Sequence, residues 1–498
     1  MLKLKYVPLI TLSLLGCLSL MSDEASAATR QASSCAQSDV TAAYNGASAG
    51  DTILVPPGQC TWTSTFRVTK AVSILGNNGA AYSPTANSSC ASGNTTCLRT
   101  GSSLTTGLFD VDMTTAALVR ISGFFFDLTA SFTGGQTINY GVQIGGNITQ
   151  MRVDHNFFQY GKYSLNIDGR IFGVFDHNYF YNDDASLQLL GGSAAQANQS
   201  WSDAIVAGMA MGQNTLYVED NTFVRDEHLP YQTNNHIESG HGGRFVIRYN
   251  TFEGRRYCAG IAGSRGTCAA ENFTYYPIMT HGNGGYYSGT DGLRGHPIVE
   301  IYNNTIRGYR VDDAIFLRGG SNIVFNNVVT SQRMTTEVIT LREEESATDG
   351  GPFSPGRATT DSAGPPRQGW PAQDQIFNSF FWNNTFCSGY PCTGVPITTV
   401  NIRSASANFI KKGRDYFMNA PAASGGFESF TGRPGASNTY PTNSTGPIGN
   451  NPNNETMIFT ASGANAYYPY TPFTYPHPLV SGPNLTPPAA PTALRVIR

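Results

Sequence analysis

The sequence predicts an all-β right-handed parallel β-helix, and three observations lead there. A short apolar alternation ending in Asn recurs along the chain, its closest copies stand near 22 residues apart, and charge is scarce while Gly is abundant. Only 13% of residues are charged, against 40% hydrophobic with 54 Gly. That balance suits short strands and many turns rather than helices with charged outer faces.

The recurring element reads Val153-Asp154-His155-Asn156-Phe157-Phe158 and then Phe175-Asp176-His177-Asn178-Tyr179-Phe180. Further copies carry Asn221, Asn250, Asn304, Asn327 and Asn384. Steps of 22 residues (Asn156 to Asn178) and 23 (Asn304 to Asn327) define one period, and 43 (Asn178 to Asn221) is close to two. The steps of 29, 54 and 57 imply insertions or degenerate copies. A period of this length built from strand-like pieces means a solenoid. Leucine-rich repeats share the period, but their Leu consensus is missing. In a β-helix each coil is three short strands, and equivalent positions stack about 4.8 Å apart. Asn suits a buried turn there, because its amide donates to one neighbouring coil and accepts from the other. The Asn column is therefore first a structural ladder, with the Phe, Ile and Val two positions later filling the interior.

The elements follow in order. Residues 1–27 read as a secretory signal: Lys3 and Lys5, an apolar stretch from Val7 to Met21, then Ala25-Ser26-Ala27 as a cleavage site. Leu14-Leu15-Gly16-Cys17 offers the rival reading of a lipoprotein. Val40-Thr41-Ala42-Ala43-Tyr44 is expected to form a short helix plugging the open core, since a bare solenoid end invites edge pairing. Gly50 to Gly58 and Phe66 to Gly76 supply the first strands. The coils run over 28–405, an extended tail packed on the helix over 406–480, and a Pro-rich linker remnant over 481–498. Within that remnant, 487–496 resembles the first strand of a fibronectin-type module.

Ala42 through Gly76 resembles the opening coil of the pectate-lyase-like superfamily of right-handed parallel β-helix proteins, and with the Asn repeats the resemblance covers about residues 35 to 390. It is specific for fold. The superfamily holds lyases, hydrolases, esterases, tailspikes and adhesins, so activity must come from the site. The resemblance implies an exported carbohydrate-active enzyme acting on an acidic, uronate-containing polysaccharide by β-elimination, a polysaccharide lyase rather than a glycoside hydrolase. The alternative is a non-catalytic β-helix that binds glycans or serves as a surface or matrix protein.

A second strand family precedes each Asn strand. Alignment on its terminal Gly gives Ile144, Asp168, Leu190, Ser239, His281, Arg318 and Arg342 as an outward column, and Gln143, Ile167, Leu189, Glu238, Thr280, Leu317 and Leu341 as a mostly inward one. A face with His281, Arg318 and Arg342 suits an acidic polymer. In β-elimination a cation neutralises the uronate carboxylate, and a base removes the acidified C5 proton. The arginines fit the first role, His281, Tyr286 or Tyr287 the second. His236, Glu238, Ser239, His241 and Arg244 cluster within nine positions, and Arg294 and His296 follow. Five of the eight histidines (228, 236, 241, 281, 296) fall in this region. Candidate catalytic residues are thus His281, Arg318, Arg342, His241, Arg244 and His236, with Ser239, Glu238, Arg294, Tyr286 and Tyr287 at the substrate. Solvated outer residues and polar turns are the bland alternative for each.

Other chemistries fit less well. Gly240-His241-Gly242 and Asp312-Asp313 echo polygalacturonases, but in reversed order and without the Asn-Thr-Asp element. No spacing places two His beside an acid for zinc. No motif demands a cofactor; calcium is the one cation Asp183-Asp184 would hold through oxygen ligands. A net charge of −3 excludes the basic stripe that nucleic acid requires. No segment after the signal is apolar and long enough for membrane insertion, and a monomer is expected. Eight cysteines remain after Cys17, in close pairs 35/60, 90/97, 258/268 and 387/392, which reads as local disulfides of an exported chain. The insertion from Arg342 to Gln375, with Glu343-Glu344-Glu345, would wall a substrate cleft.

Overall fold

The computed structural model describes residues 27–77, 82–91, 93–101, 104, 107–129, 140–181, 185–190, 211–225, 235–240, 242–254, 276–280, 296, 298–311, 313–333, 337–342, 376, 379–388, 393–403, 410, 412–413, 415–421 and 470–481. The chain is an all-β parallel β-helix. Its strands stack in parallel register over three faces, A, B and C, visited in that order by each coil. Face A includes Leu187–Leu190, Asn235–Gly240, Tyr276–Thr280, Ile315–Arg318 and Ile339–Arg342. Face B includes Val119–Ser122, Leu216–Glu219, Phe245–Arg248, Ile298–Tyr302, Ser321–Phe325 and Ser379–Trp382. In two coils, Val142–Asp154 and Leu165–Asp176, one long strand turns the corner from A to B.

Faces B and C are always joined by two residues in the Asn-bearing coils. The first residue lies in the left-handed region: His155, His177, Asp220, Tyr249, Asn303, Asn326 and Asn383 all have φ between 53° and 57°. The second is the ladder Asn. From Asn178 to Asn384, each Oδ1 accepts both the backbone N–H and the Nδ2–H of the Asn one coil earlier, at 2.9–3.1 Å, and Asn156 Oδ1 accepts the Phe124 N–H. Each Nδ2 also donates backwards to a main-chain carbonyl of the previous coil, Ile121 O for Asn156 and Val153 O for Asn178. Backbone groups that the turn would leave unpaired in a dry interior are thereby satisfied. The single file of Asn expected from the repeat is present.

Two residues beyond the ladder position, Phe126, Phe158, Phe180, Phe223 and Phe252 stack at 4.7–4.9 Å with planes within 7°. Ile306, Val329 and Phe386 continue the same row. Helix α1 (Gln37–Asn45) closes the N-terminal end with Val40 and Tyr44 buried. The Tyr44 hydroxyl accepts from the backbone N–H groups of Thr69 and Lys70. Disulfides join Cys35 to Cys60 and Cys90 to Cys97, and Cys387 is also disulfide-bonded. Cys258, Cys268 and Cys392 lie outside the described residues.

Two expectations need correction. The coil pattern does not stop at residue 405, because Tyr416–Phe417 pairs with Ser379–Trp382 on face B. The outward column expected for face A is displaced by one residue in two coils. Ile144 pairs with Ile167, and Leu189 with Ser239, so Ile144 and Ser239 belong to the inward row. Gln143 and Glu238 belong to the outward one. Since strand side chains alternate, a slip of one exchanges the faces, and a terminal Gly is a poor anchor where corner length varies.

Replacing Asn250 by Ala removes the acceptor and the donors of one amide from the middle of the ladder and strands the backbone N–H of Asn221. We expect a loss of about 3–4 kcal/mol, measured by urea unfolding, with the parallel β signal retained below the transition.

Candidate functional site

In the Asn-bearing coils the long connections leave from the margins of face A. The connections spanning 191–215, 281–297 and 343–378 follow its strands, and those spanning 226–234 and 255–275 precede them. In the Asn-bearing coils the B–C corner stays at two residues, because these carry the ladder; in an earlier coil, without a ladder Asn, it spans 77–95.

Two outward rows cross face A. One contains Gln143, Asn166, Gln188, Glu238, Met279, Phe316, Thr340 and Asn401. The other passes through Gly145, Asp168, Leu190 and Gly240, and further along carries Arg318 paired with Arg342. Arg403 extends this row by one coil, its N–H donating to Leu341 O at 3.1 Å. Three guanidinium groups thus stand on successive coils, each rise being about 4.8 Å. The Arg318 guanidinium lies 4.6 Å from the centre of the Phe316 ring, and that of Arg403 5.3 Å from the same ring. Arg403 pairs with Asp313 at 2.5 Å and with Glu337 at 3.0 Å, and the Thr340 hydroxyl donates to Asp313. Phe316 and Asp313 are buried, while the three arginines are half-buried.

The other predicted site residues are placed differently. His236 lies in the interior, its ring packed against both Phe223 and Phe252 and its Nδ1 2.9 Å from Ser186 Oγ. Burial drives its pKa well below the usual value, so it is neutral. Such a ring cannot reach a polymer on the surface. Ser239 is enclosed in the inward row, and Glu238 is buried in the outward row, 4% exposed. Arg244 is buried beside face B, its Nε 3.0 Å from Met211 Sδ. His241, His281, Tyr286, Tyr287, Arg294, Asp183, Asp184 and Asp312 lie outside the described residues. Only Arg318 and Arg342 are brought together among the candidates that are described. Arg403, Phe316 and Asp313 were not singled out from the sequence, because Asn401–Ile402 is a two-residue strand without an Asn repeat.

Face B carries a second polar surface. Arg120 and Arg152 grip Asp154 and Asp176 through bonds of 2.6–2.9 Å. Asp154, His155 and Asp176 stand close enough to share a metal ion, but the arginines already fill the space between these carboxylates. Further along, Arg248 pairs with Glu219 at 2.6 Å and donates to the Tyr302 hydroxyl. Residues 470–481 run across this face. Arg248 donates to Phe473 O and Thr474 O, Arg152 to Leu479 O, and the Tyr470 hydroxyl to Glu300. The His477 N–H donates to Glu219 and the Tyr475 hydroxyl to Asp220. Under this cover, desolvation pushes both Glu219 and Glu300 up to about 7, although hydrogen bonds and nearby arginines pull the other way.

No family model, curated protein or solved structure matches the chain. Among the described residues no helix is long and apolar enough to cross a membrane. The disulfides fit an oxidising, extracellular setting.

Glu300 holds its proton more tightly folded than unfolded, with its pKa raised from 4.5 to about 7. Its contribution to stability is therefore complete below pH 4.5 and is lost as pH rises through about 7. Glu300→Gln, which stays neutral, should flatten the decline in melting temperature between those pH values.

Proposed function

We propose that face A binds an acidic, uronate-containing polysaccharide and that the chain is an exported enzyme cleaving it by β-elimination. The observation that carries this reading is the column Arg318, Arg342 and Arg403, one guanidinium per coil. A guanidinium presents a planar fork matched to a carboxylate. Pairing with the uronate carboxylate draws charge from the ring and acidifies the C5 proton. A base then takes that proton, and the electron pair expels the C4 oxygen to leave a double bond. The resemblance to pectate-lyase-like proteins supports the same reaction, and the sequence offers His281, Tyr286 or Tyr287 as the base. In the chain His281 follows Thr280, whose hydroxyl accepts the Arg318 N–H at 2.9 Å. Long connections rooted at both margins of face A, 343–378 among them, are suited to walling a cleft.

A second reading, glycan binding without cleavage, draws on the pairing of Arg403 with Asp313 and Glu337. That pairing leaves the cluster of three arginines and two carboxylates with a net charge of only +1. It also draws on the Phe316 ring, flanked by two guanidinium groups.

Incubation with a panel of uronate polymers, followed by absorbance of the unsaturated product, decides between them. Arg342→Ala should lower the rate by roughly 10²-fold or more, the cost of losing a charge-stabilising donor, and His281→Ala should abolish it. Retention of a polymer without product would leave the binding reading. Neither product nor retention on any polymer would remove both.

A further inference from the structure

The arginine column occupies one end of face A. Four coils earlier, roughly 19 Å away at one rise per coil, the same face carries a different chemistry. One coil presents Gln143 and Gly145 outward, and the next presents Asn166 and Asp168 in register with them. Asp112 stands opposite Gly145 on the preceding coil. Gly145 therefore opens a notch in the row between two exposed carboxylates, and a Cβ there would lie 3.5 Å from Asp112 Oδ1.

Tyrosines line the margin where the chain enters face A. Tyr140 and Tyr163 hold the same position in these two coils, both half-buried, with ring centres 6.4 Å apart. Burial and the nearby Asp168 carboxylate push the Tyr140 hydroxyl up to about 12, so it stays a neutral donor. Tyr163 has φ of 68°, a conformation that bulky side chains rarely adopt. Such strain persists only where the surroundings hold it, and it collects at binding sites. Asn166 Oδ1 is buried and, among the described residues, has no hydrogen-bond partner. An acceptor left in that state calls for a donor.

We propose that this notch is a subsite for an uncharged pyranose residue of a polysaccharide. The electron-rich faces of Tyr140 and Tyr163 suit the polarised C–H face of a sugar ring. Asp112, Asp168, Gln143 and Asn166 bring acceptor oxygens to the hydroxyl rim, and hydroxyls are donors. Charge selects against a uronate here. Asp112 and Asp168 are balanced by Lys162, 5.8 Å from the Tyr163 ring centre, and by Arg170, bonded to Asn147 (2 − 2 = 0). No net positive charge draws a carboxylate in, and the two acids repel one. Face A then takes a polymer whose neutral and acidic residues lie about four coils apart. The subsite rests on the reading of face A as a glycan surface, but neither on the arginine column nor on cleavage.

The test is affinity electrophoresis of the full chain through gels holding a neutral glucan, mannan, xylan or galactan. Saturation-transfer NMR follows, with oligosaccharides cut from the polymer that retards it. We expect retardation by at least one polymer, transfer to pyranose C–H protons, and at least tenfold weaker binding in both Tyr163→Asn and Asp168→Asn. Asn303 already occupies the left-handed region in this chain, so Tyr163→Asn removes the ring without moving the backbone. Asp168 is exposed, so Asp168→Asn leaves the fold intact. Arg342→Ala should leave neutral-polymer binding unchanged. No retardation by any of the four polymers, native affinity in either notch variant, or loss of affinity in Arg342→Ala would each overturn the proposal. Unsaturated product from uronate polymers without neutral retardation removes this subsite alone. Neutral retardation lost in the notch variants, with no such product, supports the subsite and counts against cleavage.

Discussion

A buried amide column governs this molecule. At seven B–C corners a left-handed residue turns the chain, and the Asn that follows bonds to the neighbouring coils. Because each Oδ1 takes two donors from one direction and each Nδ2 donates in both directions, the ladder leaves little slack in register. Fixing one corner of every coil fixes the phase of the whole solenoid. The Phe row two residues later then stacks without further adjustment.

This constraint divides labour among the faces. Where the B–C corner carries the ladder it keeps its two residues, and in those coils the variable chain collects at the two margins of face A. Insertions there do not disturb the amide column, which is why a recognition surface can differ from coil to coil over a constant frame. The same logic places Arg318, Arg342 and Arg403 one above another although 24 and 61 residues separate them in sequence (342 − 318 and 403 − 342).

The sequence revealed the fold because the ladder residue is the same in seven coils. It also revealed Arg318 and Arg342, which sit in strands ending alike. It failed for Ser239 and Ile144 because variable A–B corners make the end of an A strand a poor ruler. Arg403 escaped because its strand is two residues long and no Asn repeat follows it. His236 looked chemical beside Glu238 and His241, yet it is a core side chain packed on the Phe row. A pattern of polar residues cannot by itself distinguish an outward ring from one folded into the interior. The partners of face B were out of reach for another reason: Arg248 and Thr474 are 226 residues apart, and no periodicity connects them.

Solenoids ordinarily behave as one-dimensional arrays, in which each repeat senses only its immediate neighbours. The segment 470–481 changes that topology. Starting beside Trp382 and ending at Arg152, it lies across the intervening coils in the reverse direction, like a staple driven through stacked sheets. Coils that never touch become coupled through one strip of backbone. Fraying in the middle of the stack then has to break contacts at both its ends, so melting becomes collective. Residues 470–481 thus convert a sequential array into a single cooperative unit.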